Sequence, residues 1–260
     1  MKKILAIMLV LMLAVAMFAA CEKQQDAAKD SANIEKDGKI VVGITEYAPM
    51  DYKDDNGEWT GFDAEFTREF AKSLDVEVEF VVIDWESKFD ELNAGSIDCI
   101  WNGMTITDEV KEKTNCSVPY AKNKQVLVMK ADVVANYQDE ASLKNLSVAV
   151  EQGSAGEGVA NDLGLTNIVP VTAQTDALLE VKAGTSQACI IDMTMAQAMT
   201  GEGTDYADLA MGILLKDEEY GIAFRKGSDM TEKINAFIEE SKANGFLAGL
   251  SEKYGVEITE

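Results

Sequence analysis

The residues of this chain that could do chemistry fall into five short groups: Thr45-Glu46-Tyr47, Trp85, Asn102-Gly103-Met104-Thr105, Glu151-Gln152-Gly153-Ser154 and Asp192. They offer aromatic faces for stacking, hydroxyls and amides for hydrogen bonds, open backbone at the glycines, and carboxylates for a cationic donor. Such a set suits the binding of a small polar molecule and lacks an obvious nucleophile. The chain has no histidine, and Cys99, Cys116 and Cys189 are widely separated. A zinc-type ligand cluster and a Ser-His or Cys-His pair are therefore absent, and no catalytic residue, metal or cofactor is expected. Taken singly, each group also has a plainer reading. Tyr47 or Trp85 could cap the edge of a core, Gly153-Ser154 could simply begin a helix, and each cysteine sits in an apolar run where a buried thiol is ordinary, although export would permit one disulfide.

These groups matter together because each follows a predicted strand. In open α/β sheets a ligand sits beyond the carboxyl ends of the strands, so the residues just after them carry the information. From Lys39 onward short β-rich runs alternate with helical stretches. Strands are predicted at 39–44, 76–82, 97–101 and 125–129, with helices at 62–74, at 85–94 and from Asp108. A second unit repeats the logic, with strands at 147–150, 168–171 and 188–192 and helices at 156–162, 175–183 and 194–200. Two comparable α/β lobes result. A closing strand at 220–225 and a helix at 230–243 are too short for a third lobe and must return to one of the others. The strands are continuous apolar runs, as expected where helices cover both faces of a sheet.

The amino terminus places the chain outside the cytoplasm. Met1-Lys2-Lys3 precedes an apolar run over 4–20, which has the charged start, apolar core and small-residue end of a secretory signal. The run ends in Phe18-Ala19-Ala20-Cys21, which resembles the bacterial lipobox, where a peptidase cuts before a cysteine that carries lipid. Residues 1–20 are thus expected to be a signal peptide, Cys21 the lipidated (palmitate-bearing) mature terminus, and 21–38 a polar flexible tether. Without Lys2 and Lys3 the mature chain carries 21 basic and 46 acidic residues, a net charge of −25. Nucleic acid and anionic lipid headgroups are poor partners for such a surface, so the lipid on Cys21 must be the membrane contact.

Six ordered motifs resemble the family 3 extracellular solute-binding proteins, the polar amino-acid-binding components of ABC importers. Tyr47-Ala48-Pro49-Met50 and Gly61-Phe62-Asp63-Ala64-Glu65 are similar to the family's aromatic-Pro-Phe and Gly-Phe-Asp-x-Asp elements. Leu92-Asn93-Ala94-Gly95-Ser96-Ile97-Asp98, Gly103-Met104-Thr105-Ile106-Thr107, Cys116-Ser117-Val118-Pro119-Tyr120 and Gly221-Ile222-Ala223-Phe224-Arg225-Lys226 follow in the family's order. The resemblance covers residues 39–254. It implies a periplasmic-binding-protein-like, two-lobe clamp of type II: lobe I at 39–122 plus 216–260, lobe II at 123–215, with crossing strands near 122–126 and 215–221 as the hinge. It also implies a monomer that captures an amino acid or related small amine by closing, and delivers it to ABC importer permease subunits on the outer face of the cytoplasmic membrane or in the periplasm.

By the same resemblance Tyr47 and Trp85 would sandwich the ligand's side chain, and Gly103 and Thr105 would hydrogen-bond its main-chain groups, with Asn102 a ligand-binding candidate next to them. Ser154 would add a hydroxyl and an N–H, Glu151 would read the ligand's side chain, and Asp192 would hold its ammonium. Glu46 and Met104 are further candidates beside them. Two positions depart from the pattern. The family's carboxylate-clamping Arg is Val110 here, and a usual Thr donor is Ala155. Either the ligand's carboxylate is held by helix N-terminal amides and Lys122 or Lys124, or the ligand lacks a carboxylate and presents cationic groups instead. A sensory clamp for a membrane signalling partner and a dehydratase-like enzyme on the same fold are the other functions compatible with the residues.

Overall fold

The computed structural model describes residues 27–260. The expected signal segment over 1–20, Cys21 and the first residues of the expected tether lie outside the described residues. Among the described residues no helix is long and apolar enough to cross a membrane.

Ordered structure begins earlier than the polar composition predicts. Helix α1 (Asp30–Asp37) occupies residues expected to be flexible tether. Its one long apolar side chain, Ile34, is buried. Asp30 pairs with Arg225 Nη2 at 2.5 Å, and Ser31 Oγ bonds Asp229 at 2.5 Å. Those partners lie almost two hundred positions away in sequence, so local polarity could not reveal them. A carboxylate buried against a guanidinium holds the helix where hydrophobic patterning does not.

The strands are β1 (Lys39–Ile44), β2 (Tyr52–Lys53), β3 (Trp59–Thr60), β4 (Glu77–Val82), β5 (Cys99–Thr105), β6 (Asn115–Cys116), β7 (Ala121–Lys130), β8 (Val148–Glu151), β9 (Ile168–Val171), β10 (Ala188–Asp192) and β11 (Leu209–Phe224). β2 and β3 form a small hairpin; the others form one sheet in the order β4-β1-β5-β11-β7-β10-β8-β9, with β6 also on β11. β1 lies parallel to β4 and β5, and β8 lies parallel to β9 and β10. Between these two parallel groups run the antiparallel strands β7 and β11, paired over most of their length. They alone join the groups within the sheet.

β11 is longer than the strand predicted over 220–225 because its first part is one-sided. Past the buried Leu209, residues 210–219 mix partly buried with exposed side chains, Leu214 and Lys216 among the exposed, and the register shifts around Leu214. A partly exposed strand lacks the apolar run that marks its continuation through Tyr220–Phe224.

Helices α2 (Phe62–Ser73), α3 (Lys88–Ala94), α4 (Asp108–Lys113), α5 (Ala155–Asp162), α6 (Gln174–Ala183), α7 (Met193–Met199), α8 (Met230–Ala243) and α9 (Phe246–Tyr254) cover the sheet. α2 shows why: Phe62, Phe66 and Phe70 recur every four residues and are all buried. Phe66 meets Trp101 edge-on at 5.0 Å between centroids, which ties the helix to β5. The helix predicted over 85–94 resolves into a 3₁₀ turn, Trp85–Ser87, capped by Asp84, and then α3.

Candidate functional site

A cavity of about 520 Å³ opens where the carboxyl ends of β5, β8 and β10 converge. Thr45, Trp85, Lys88, Asn102 to Val110, Glu151, Gly153, Ser154, Ala155, Gln174, Asp192 and the β11 residues Lys216 to Glu218 line it. The strand-end groups predicted from sequence therefore meet here, with three residues excepted. Glu46 and Gln152 are exposed and do not line the cavity, and neither does Tyr47.

Tyr47 is buried behind the cavity wall. Reciprocal backbone bonds with Asp51, at 2.7 and 2.8 Å, form a tight turn there. Gly103 leaves it room: a Cβ on Gly103 would come within 2.7 Å of Tyr47 Cε1. The Tyr47 hydroxyl lies 2.6 Å from that of Tyr220, which donates to Asp192 Oδ1 at 3.0 Å. The sandwich of Tyr47 and Trp85 is thus replaced by one aromatic wall, Trp85, packed with Phe89, Met104 and Val110. Val110 completes that wall, its N–H capped by Thr107 Oγ1 at 3.1 Å.

Several other candidates reach the cavity with their polar groups already engaged. Asn102 accepts from Thr45 N–H and Oγ1 at 3.0 and 2.7 Å, and donates to Thr45 O and Asp51 at 3.0 and 2.8 Å. It ties the end of β1 to β5. The Gly103 N–H donates to Asp63 Oδ2 at 2.6 Å rather than facing the cavity. Asp192 accepts from Asn123 at 2.5 Å, Gln125 at 2.8 Å, Tyr220 and Gln174, while Gln174 Oε1 takes the Asp192 N–H at 2.9 Å. Burial, reinforced by the nearby Glu218, pushes the Asp192 carboxyl well above the usual carboxylate range. Thr105, by contrast, brings a hydroxyl with no protein partner among the described residues.

The residue that sequence reasoning missed is Lys88. It is almost fully buried, and its Nζ donates to the carbonyls of Trp85 at 3.0 Å and Gly153 at 2.8 Å. The ammonium also lies over the rings of Trp85, 5.1 Å from the centroid, and Phe89, 4.7 Å. Burial lowers its pKa to about 8, against the attraction of Glu109 and Glu151. Its spacing from Trp85 could have found it, since residues three apart share one face of a helical turn. Lys122 and Lys124 do not line this cavity; they pair with Glu257 and Asp217. Arg225 is buried against Asp30 and Asp98.

Glu151 faces Lys88 from the other parallel group. Burial raises its carboxyl to about 8, Lys88 pulling the other way. Its Oε1 is buried with no hydrogen-bond partner among the described residues. Two residues on, Gly153 adopts φ 72°, and a Cβ there would lie 2.9 Å from Glu86 Cα. Ser154 caps α5, accepting from Glu157 N–H at 3.2 Å, with Ala155 as the first helical residue. The cavity has the size and the lining to take a small polar solute between an aromatic wall, a lysine, a helix N-terminus and several carboxyl groups.

Known proteins share this architecture. L-cystine-binding protein TcyJ of Escherichia coli strain K12 is 27% identical over 253 residues, 95% of each chain. ABC transporter glutamine-binding protein GlnH of Bacillus subtilis is 27% identical over 259 residues, 94% of each chain. Among solved structures, the P235GK mutant of ArgBP from T. maritima superposes with a TM-score of 0.81 at 32% identity, covering 86% of this chain and 98% of that one. These relatives are binding proteins, and the fold is that of the periplasmic-binding-protein-like clamps. The family description that matches residues 40–257 agrees with them, and the chain belongs to the bacterial extracellular solute-binding proteins, family 3.

Proposed function

We propose that this chain is the lipid-anchored, extracytoplasmic capture component of an ABC importer, and that it holds an amino acid or related small amine between two closing lobes. The observation that carries the reading is the composition of the cavity wall. Trp85, Lys88 and Thr105 come from one parallel strand group, and Glu151, Ser154 and Asp192 come from the other. A solute touching both groups stabilises the conformation in which they are close, because only that conformation makes both sets of contacts.

In this reading lobe I comprises 39–122 and 216–260, lobe II comprises 123–215, and β7 and β11 flex between them. The monomer docks on permease subunits when closed, and Cys21 carries the lipid that keeps it at the membrane. The cavity returns its solute unchanged. Calorimetry on the chain with a panel of amino acids, amines and short peptides, paired with small-angle scattering, tests it. Saturable binding by an amino acid or amine together with a smaller radius of gyration is expected. Binding without compaction, or no binding by any member of the panel, would overturn the clamp reading.

A further inference from the structure

Lys88 is a buried ammonium whose surroundings are incomplete. An ammonium has three donors, and two are spent on the carbonyls of Trp85 and Gly153. Among the described residues no carboxylate lies within salt-bridge distance of it. Its charge is met at contact by two aromatic faces and two carbonyl dipoles, with Glu109 and Glu151 attracting it from farther off. A buried cation without a paired anion is unfavourable, and a ligand that brings one removes that penalty.

The position of the remaining donor matters as much as its existence. The carbonyl that Lys88 engages belongs to Gly153, two residues before the first residue of α5, and Ser154 and Ala155 line the same cavity. A helix N-terminus favours negative charge through its unpaired N–H groups and its dipole. Lys88 and this helix end, where the Glu157 carboxylate already accepts the Gly153 N–H at 2.8 Å, meet at one carbonyl, and the remaining Lys88 donor is left for a further anion. Around them the cavity offers carboxyl groups and an apolar wall at Val110, with Lys216 at its edge largely exposed and 3.7 Å from Asp162.

We infer that Lys88 is the carboxylate anchor of this cavity, so that the solute is an α-carboxylate-bearing amino acid rather than a carboxylate-free amine. This rests on the amino-acid-capture reading above and narrows it. Because the ammonium also bonds Gly153, a bound carboxylate and the contact between the two strand groups share one residue. Lys88 supplies the cation that position 110 does not.

The test compares solute pairs that differ in the carboxylate alone: L-arginine with agmatine, L-histidine with histamine, and L-cystine with cystamine. Affinities are measured by calorimetry on the full chain and on Lys88→Met. In the unmodified protein the carboxylate-bearing member of the bound pair should win by about 30-fold or more. Lys88→Met should reduce that ratio to within about threefold, by lowering the affinity of the carboxylate-bearing member far more than that of the amine. Its unfolding midpoint without solute should hold or rise, since an unpaired buried charge is gone. A Lys88→Gln variant, which keeps donors without the charge, gives a second reading should the methionine variant fail to fold. A preference for the carboxylate that survives both substitutions overturns the assignment, as does an unmodified protein that prefers the amine; either leaves solute capture intact. Lower stability with an unchanged preference would make Lys88 a partner of Glu151 alone and also overturns it. Failure of the whole panel of amino acids, amines and short peptides, these six included, to bind the unmodified protein overturns the capture reading, and this assignment with it.

Discussion

Tyr47 and Tyr220 share a hydrogen bond of 2.6 Å between their hydroxyls, deep behind the cavity wall, and Tyr220 extends it to Asp192. The relationship separates two aromatic residues that a strand-end argument groups together, because Tyr47 braces the wall and Trp85 forms it. Tyr47→Phe removes one hydroxyl from a buried chain and should lower stability by about 1–2 kcal/mol, with solute affinity unchanged within about threefold. Trp85→Ala should leave the chain folded and weaken solute binding about tenfold or more. Thermal unfolding with and without solute measures both. The division of roles fails if Tyr47→Phe is the variant that loses binding.

The order of α/β elements was legible because apolar, β-branched runs and phenylalanine-faced helices announce themselves locally. Val41, Val42 and Ile44, or Phe62, Phe66 and Phe70, need no distant partner to be recognised. α1 was not legible, since its anchors Arg225 and Asp229 come from the far end of the chain. The site was half legible. The strand-end rule found where Trp85, Glu151, Ser154 and Asp192 converge, but it could not say which polar atoms were already engaged. Asn102 and Asp192 are filled by neighbours, and Lys88, at the start of a short helix, looks from its local surroundings like any solvated lysine.

Gly153 packs the loop after β8 against the turn before α3. Its φ of 72° and the 2.9 Å that would separate a Cβ from Glu86 Cα leave no room for a side chain. Gly153→Ala should lower stability by only about 1–2 kcal/mol, the usual range for an L-residue in the left-handed region. Its effect on solute affinity should be larger, about tenfold or more, because the added methyl holds the two strand groups apart where the solute must be enclosed. Calorimetry and scattering on one preparation check it; an alanine variant that binds and compacts normally refutes it.

Cys21→Ser tests the anchor that the lipobox-like Phe18-Ala19-Ala20-Cys21 implies. In a bacterial host the unmodified chain should take up radiolabelled palmitate and sediment with membranes. The serine variant should do neither and should retain solute binding. A variant that is still labelled and still sediments would remove Cys21 from the account.

Glu151 and Lys88 give the solute-free protein an unusual dependence on pH. Glu151 moves from 4.5 to about 8 on folding, so between those values the unfolded chain binds fewer protons and stability falls as pH rises. Lys88 moves from 10.5 down to about 8, so above about 8 the unfolded chain binds more protons and stability rises with pH. Together they place a stability minimum near pH 8. Glu151→Gln removes the first window, and its advantage over the unmodified protein should grow from pH 4.5 to 8 by at most about 1.4 kcal/mol per unit. Urea unfolding across that range decides it, and a difference that does not vary with pH counts against the buried, protonated Glu151.

The charge of the cavity should decide which amino acids enter. Asp108, Glu109, Glu151, Asp192, Asp217 and Glu218 line it, against Lys88 and Lys216. Lys88 has one donor left, enough for a single carboxylate, and Lys216 is largely exposed beside Asp162. A second carboxylate on the solute's side chain therefore meets carboxyl groups and the apolar face of Trp85 and Val110, with no buried cation to receive it. A solute with a neutral or cationic side chain meets Glu151, whose Oε1 is unpartnered, and the edge of the Asp192 network. L-Glutamate and L-aspartate should bind about 30-fold or more weakly than whichever of L-arginine, L-histidine and L-glutamine binds best. Raising the salt concentration should narrow the gap, because Asp108, Glu109 and Asp217 are exposed and well screened while the buried Glu151 and Asp192 carboxyls are raised above the usual carboxylate range. Competition calorimetry at low and high salt measures both quantities. Tight binding of L-glutamate would mean that the acidic lining is neutral in the closed state, and would remove side-chain charge as the basis of selection.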